Sequence, residues 1–297
     1  MDNNNKAILK TLLYSDIFDF PLNYNELWRF LISDSFIDKA TFDKAIEELL
    51  QKNAIVIQEG FYCLPKRELI IDRRKMQKGN ITKKLMIAKR VSKYLSFIPT
   101  ISFVGVSGNV AAGNAQKADD IDFFIVAKKR TIWTTRFLVL VILEIIRLRR
   151  RRGQKNVSDT ICVNMIVDEN SLKLSSDRHD LFTAHEIVQL QPLFVRSGRV
   201  DMCLVVNTWV KKFMPNVLDI KILRYKDIKQ ENKCRKFLLS QLLSPFEYCV
   251  KMLQLWLINK HRTTEIISDS LIAFHPTDYR KKTLGEFSKR LENYGAI

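Results

Sequence analysis

Apolar residues in the first 75 positions recur every three or four residues, the spacing that gathers them on one face of a helix. Three such stretches, 6–14, 25–32 and 39–53, predict helices. In the third, Phe42, Ala45, Ile46 and Leu49 form a continuous stripe. The period then drops to two. Residues 55–57 and 61–64, on either side of Glu59-Gly60, predict a β-hairpin. Residues 69–78 read as a charged connector, and 83–95 as a helix that ends before Pro99. Two β-rich runs, 101–106 and 122–127, flank a turn region rich in Gly and Ala. A long apolar helix is expected over 131–149 and a third strand over 160–167. Beyond 171 the pattern is mainly helical, with helices expected at 179–189, 207–213, 233–260 and 264–273 and a single strand at 202–206. The fold class implied is α+β, in three parts: 1–75, 80–170 and a helical C-terminal region, 171–297.

The most apolar run, FLVLVILEII at 137–146, is about half the length of a membrane span. It contains Glu144 and is flanked by Arg136 and Arg147, so a buried helix of a soluble domain is expected, with no membrane partner. Positions 1–10 are polar and lack the apolar core of a signal peptide. The five cysteines are scattered without CxxC spacing, and read as reduced thiols of a cytoplasmic protein that offer no zinc site.

Charge separates the parts more sharply than hydropathy does. The chain carries a net +17, yet residues 1–75 sum to −1, residues 76–170 to +10 and the remainder to +8. A positive field of this kind favours polyanions, whether triphosphates or nucleic acid, and assigns them to residues 76–297. Three helices and a hairpin at the N-terminus resemble a winged helix. Its third helix, however, carries Asp43, Glu47 and Glu48 beside Lys39, Lys44 and Lys52. A face without excess positive charge is poorly suited to phosphate, and a structural or protein-contact role is expected for this unit.

Candidate chemistry concentrates in VGVSGNVAAGNAQKADDIDFFIV, residues 104–126. A buried strand runs into Ser107-Gly108-Asn109, and Gly108 lets the backbone approach a polyanion closely. Asp120 and Asp122 are two apart at the head of the next strand, so both project from one face. Paired carboxylates repel unless a cation lies between them, and magnesium with triphosphate oxygens suits that place.

The segment resembles the polymerase-β-like nucleotidyltransferase superfamily, whose pattern is an apolar strand, Gly-Ser, a loop and then Asp-x-Asp opening the next strand. Gly108-Asn109 falls at the Gly-Ser position, and Asp120 and Asp122 at the metal ligands. The likeness is specific over 104–126 and looser over 80–170. It implies a mixed sheet flanked by helices, Mg2+ or Mn2+ on Asp120 and Asp122, an NTP seated by Ser107, Gly108 and Asn109, and NMP transfer to an acceptor hydroxyl with release of pyrophosphate. Two departures stand out. Asn109 replaces the serine, and the position expected to carry a third carboxylate on the 160–167 strand is Asn164, which is a poor magnesium ligand and no base. Asp168, farther along that strand, is the candidate third catalytic group. Without one, the alternative is a weakly active or inactive nucleotide-binding regulator.

Overall fold

The computed structural model describes residues 2–151, 153–196, 206–217, 246–259, 266–273 and 278–295. The N-terminal unit opens with helix α1 (Asn3–Asp16), capped by the Asp2 carboxylate. Strand β1 (Leu22–Asn23) and helix α2 (Tyr24–Arg29) follow. Asn23 and Glu26 cap α2 reciprocally, each side chain accepting from the other's backbone N–H. Helix α3 (Lys39–Gln51) leads into the hairpin β2 (Val56–Gln58) and β3 (Phe61–Cys63). Both β1 and β2 pair antiparallel with β3, so the small sheet has one strand more than the hairpin expected from sequence. Phe42 and Leu49 of α3 are fully buried in the unit's core, whereas Asp43, Lys44 and Glu47 are exposed.

The connector expected over 69–78 is instead the first part of one 27-residue helix, α4 (Leu69–Leu95). Tertiary contacts overrule its polar composition and Gly79. Arg74 forms a two-pronged ion pair with Glu26, at 2.7 Å to each oxygen, and its guanidinium lies over the Phe20 and Phe61 rings. The helix thus ties the N-terminal unit to the sheet that follows.

Among the described residues, six strands form a mixed sheet. They are β4 (Ile101–Ser107), β5 (Ile121–Ala127), β6 (Ile161–Asp168), β7 (Gln191–Val195), β8 (Ile266–Ile267) and β9 (Leu271–Ala273), in the order β7-β4-β5-β6-β9-β8. Only β5 and β6 run parallel. Helix α5 (Gly108–Ala112) follows β4, and α6 (Ile132–Ile145) makes the β5-to-β6 crossover. Helix α7 (Leu181–Gln189) precedes β7, and α8 (Glu247–Asn259) packs on α6, capping it with Glu247. The last helix is α9 (Asp278–Asn293). Val104, Phe123, Ile125 and Ile166 make the main core between the sheet and α4 and α6.

The mainly helical C-terminal region is therefore corrected: β7, β8 and β9 all belong to the central sheet. Strand β7 contains Pro192, which suits its edge position. Over the described residues 266–273 the expected helix is replaced by the β8–β9 hairpin, where β-branched Ile266 and Ile267 meet a Ser268-Asp269-Ser270 turn. Residues 202–205 of the expected strand and the first part of the helix expected at 233–260 lie outside the described residues. Residues 207–213 hold a 3-10 turn, Thr208–Lys212. No described helix is long and apolar enough to cross a membrane.

The N-terminal unit is packed against the rest of the chain. Leu181 and Phe287 join its core, Tyr14 stacks on His185 at 4.2 Å, and Asp16 accepts from both Arg67 and Arg290. Near the end of β4, the Asn114 side chain donates to the Phe18 carbonyl at 2.8 Å.

Candidate functional site

The ends of three neighbouring strands define the site. Ser107 at the end of β4 lies directly across from Asp122 on β5, and Asp122 lies beside Cys162 on β6. Residues opposed in this way share a sheet face, so Ser107, Asp122 and Cys162 form one row. Asp120, immediately before β5, completes the group. Carboxylate oxygens of Asp120 and Asp122 and the Cys162 sulfur all lie within 4.8 Å of one another.

The chain turns sharply above this row. Gly108 has φ +63°, and a Cβ placed there would be 2.5 Å from Asp122 Oδ2. Only glycine meets both demands, the left-handed backbone and the contact with the carboxylate. Gly113, at φ +80°, closes α5. The Asn109 carboxamide is engaged within the loop, donating to Asp119 Oδ2 at 3.2 Å. Ser107 is buried, and its Oγ has no hydrogen-bond partner.

A buried lysine fixes the loop that delivers the aspartates. Lys84 on α4 is 1% exposed. Its ammonium donates to the carbonyls of Lys117 and Asp119 and pairs with Asp159 Oδ1 at 3.0 Å. Burying this charge is tolerable only because every donor finds an oxygen, and the arrangement locks residues 117–119 just ahead of the pair.

Electrostatics at the site are unbalanced. Burial, and then Asp120, push Asp122 up to about 7, against the opposing pull of Arg150. Burial and the two aspartates likewise raise the Cys162 thiol to about 12, so the thiol is neutral at pH 7. Arg150 Nη1 bonds to Asp120 Oδ2 at 2.6 Å. The helix expected to run on to 149 stops at Ile145 as α6. Arg149 is bridged to Ile161, and the Arg150 N–H donates to the Ile161 carbonyl, which places that side chain at the aspartates.

Asp168 does not join the site. It pairs with Ala127 at the opposite end of the parallel β5–β6 ladder, five residues along β5 and roughly 17 Å from Asp122. A register shift at Asn164 also upsets the alternation expected along β6: Asp168 is opposite Ala127, whose side chain lies in the core on the other face. Its oxygens accept from the N–H groups of Arg130 and Asn170, both at 2.9 Å, which makes it a turn cap. Asn164 is 2% exposed within the irregular stretch. The residue in register with Asp122 is Cys162.

One more acid adds, as the smallest contribution, to the field at Asp122. Glu186 on α7 is raised to about 7 by burial, and its charge adds to the upward shift of Asp122. Gln191, two residues beyond α7, donates to the Ala111 carbonyl at 2.8 Å, holding this end of α7 and β7 against α5. Cys162 and Glu186 were not legible as site residues in the sequence, because each comes there through strand register or helix packing; Arg150 stands in a basic run, but its place beside Asp120 follows only from the pairing of residues 149–150 with Ile161.

Asp120 and Asp122 suit a divalent cation. The thiol beside them does not suit magnesium, which takes oxygen ligands. Neither the protein-family models nor the curated protein sequences compared with the chain give a match.

Proposed function

We propose that the chain binds a nucleoside triphosphate with a divalent cation at the Ser107–Asn109 turn and the Asp120/Asp122 pair, and transfers its NMP to an acceptor hydroxyl. The observation that carries this reading is the contact of the left-handed Gly108 turn with the Asp122 carboxylate. It brings a backbone able to approach phosphates to within touching distance of a carboxylate pair that needs a cation. The cation would neutralise triphosphate charge while held by Asp120 and Asp122. Arg150, once released from Asp120, is positioned for the phosphates.

Transfer makes one bond and breaks one. The acceptor oxygen bonds to the α-phosphorus, the bond from that phosphorus to the bridging oxygen breaks, and pyrophosphate leaves. The hydroxyl proton needs a base. Glu186, at about 7, is matched to that task at neutral pH. The reading replaces the earlier candidate, Asp168, with Glu186. The acceptor is read as a nucleic-acid end, a protein side chain or a small molecule, with the basic residues of 76–297 favouring a polyanion.

One observation favours a second reading, a nucleotide-binding regulator without transfer. Cys162 occupies the strand position in register with Asp122, where a third carboxylate would complete the metal set. Incubating full-length protein with each α-labelled NTP, Mg2+ or Mn2+ and cell RNA or protein separates the two. Covalent label that falls about 10²–10⁴-fold in Glu186→Gln supports transfer. Saturable NTP binding with no labelled product supports the regulator.

A further inference from the structure

The donors at the end of the sheet combine oxygen with sulfur. Asp120, Asp122 and Cys162 bring their ligand atoms within 4.8 Å of one another. An independent observation lies in the same row. Ser107 is only 8% exposed and sits opposite Asp122, yet its Oγ has no hydrogen-bond partner. A buried hydroxyl left unpaired is costly, so a polar group in this row without a protein partner points to a ligand there.

We propose that Asp120, Asp122 and Cys162 together bind a divalent cation that accepts sulfur, with zinc and cobalt(II) held in preference to magnesium. The proposal rests on the reading above in assigning the two aspartates to a metal, and adds the third ligand and the class of ion. Zinc takes thiolate at about 2.3 Å and carboxylate oxygen at about 2.0–2.2 Å, whereas magnesium keeps to oxygen. A cation centred among corners 4.8 Å apart lies about 2.8 Å from each. Each donor then moves by less than about 1 Å to reach bonding distance. Binding exchanges a proton for the metal: the Cys162 S–H bond breaks, the S–metal bond forms and the proton passes to solvent, with no change of oxidation state. Arg150, whose side chain is 43% exposed, withdraws from Asp120 as the cation takes over its countercharge. Three protein ligands leave one tetrahedral position open to water or a phosphate oxygen, the pattern of zinc sites that do chemistry.

The test uses the full chain with Cys203, Cys234 and Cys249 changed to Ser, so that Cys162 and the buried Cys63 are the thiols that remain. Cobalt(II) titration is expected to give a thiolate-to-cobalt charge-transfer band that saturates at one equivalent. One equivalent of zinc should abolish it, and a large excess of magnesium should leave it. Cys162→Ser should remove the band and weaken zinc by at least the roughly 10–100-fold that loss of an outer-shell partner costs, with circular dichroism unchanged. Cys162→Asp should restore cation binding and shift its preference towards magnesium. No charge-transfer band in the parent, or zinc affinity unchanged in Cys162→Ser, overturns the proposal. A band with no NTP binding sustains the metal site and removes the nucleotide reading; NTP binding with magnesium and no band does the reverse.

Discussion

Changing Asp122 to Asn is expected to stabilise the metal-free protein by an amount that grows with pH. Burial sets the charge of this side chain first. Asp120 and Glu186 add to the upward shift, Arg150 and Cys162 oppose it, and the outcome is a pKa of about 7 in place of 3.8. The folded value exceeds the unfolded one, so stability is complete below the unfolded value and is lost as pH rises through the folded one. A shift of about three units corresponds to about 4 kcal/mol at pH 8, falling to about 1–2 kcal/mol near pH 5. Asn keeps the shape and carries no charge. It loses attraction for Arg150 and the bond with Cys162, which trims the expected gain to about 2–3 kcal/mol at pH 8. Burial raises Glu186 in both proteins, so the greater part of its titration is common to them and only its coupling to Asp122 enters the difference. Urea unfolding in chelator, at constant ionic strength from about pH 5 to about pH 8, measures the effect. A gain that does not vary with pH, or a variant less stable at pH 8, refutes the reasoning.

Gly108→Ala should cost about 1–3 kcal/mol and remove NTP binding, because φ +63° strains the new residue and its Cβ meets Asp122 Oδ2 at 2.5 Å; unchanged melting and titration calorimetry would contradict the turn assignment. Lys84→Met should destabilise by about 3–5 kcal/mol in chemical denaturation, since the substitution breaks a buried ion pair and frees two carbonyls; a neutral result would mean that the loop ahead of the aspartates holds itself. Asp168→Ala should cost about 1–3 kcal/mol through the lost bonds to Arg130 and Asn170. It should leave NTP affinity unchanged, and a large fall in affinity by calorimetry would return Asp168 to the site.

Legibility in the sequence followed the range of the interactions. Helix α3 was readable because its apolar stripe is local. Strands β4 and β5 with the Gly108 turn were readable because their apolar runs and the glycine lie within one segment. The second half of α4, 83–95, was readable too, but its polar first half was not, since that half is held by Glu26, Phe20 and Phe61 from far along the chain. Strand β7 was hidden by Pro192, and β9 joins the sheet only by pairing with β6, more than a hundred residues away. At the site, Asp120 and Asp122 stand in sequence as they meet in space. Asp168 was misassigned because ideal alternation along β6 fails at Asn164, and Cys162 emerges only once β6 is laid in register beside β5.

The most direct test of the account is calorimetric titration of the full-length protein with NTP, with and without divalent cation, beside Asp120→Asn/Asp122→Asn. The account predicts saturable binding by the natural protein that needs the cation, and loss of that cation-dependent binding in the double variant with its far-UV spectrum unchanged. Equal cation-dependent binding by both proteins, or no binding by the natural protein with any divalent ion, would contradict it.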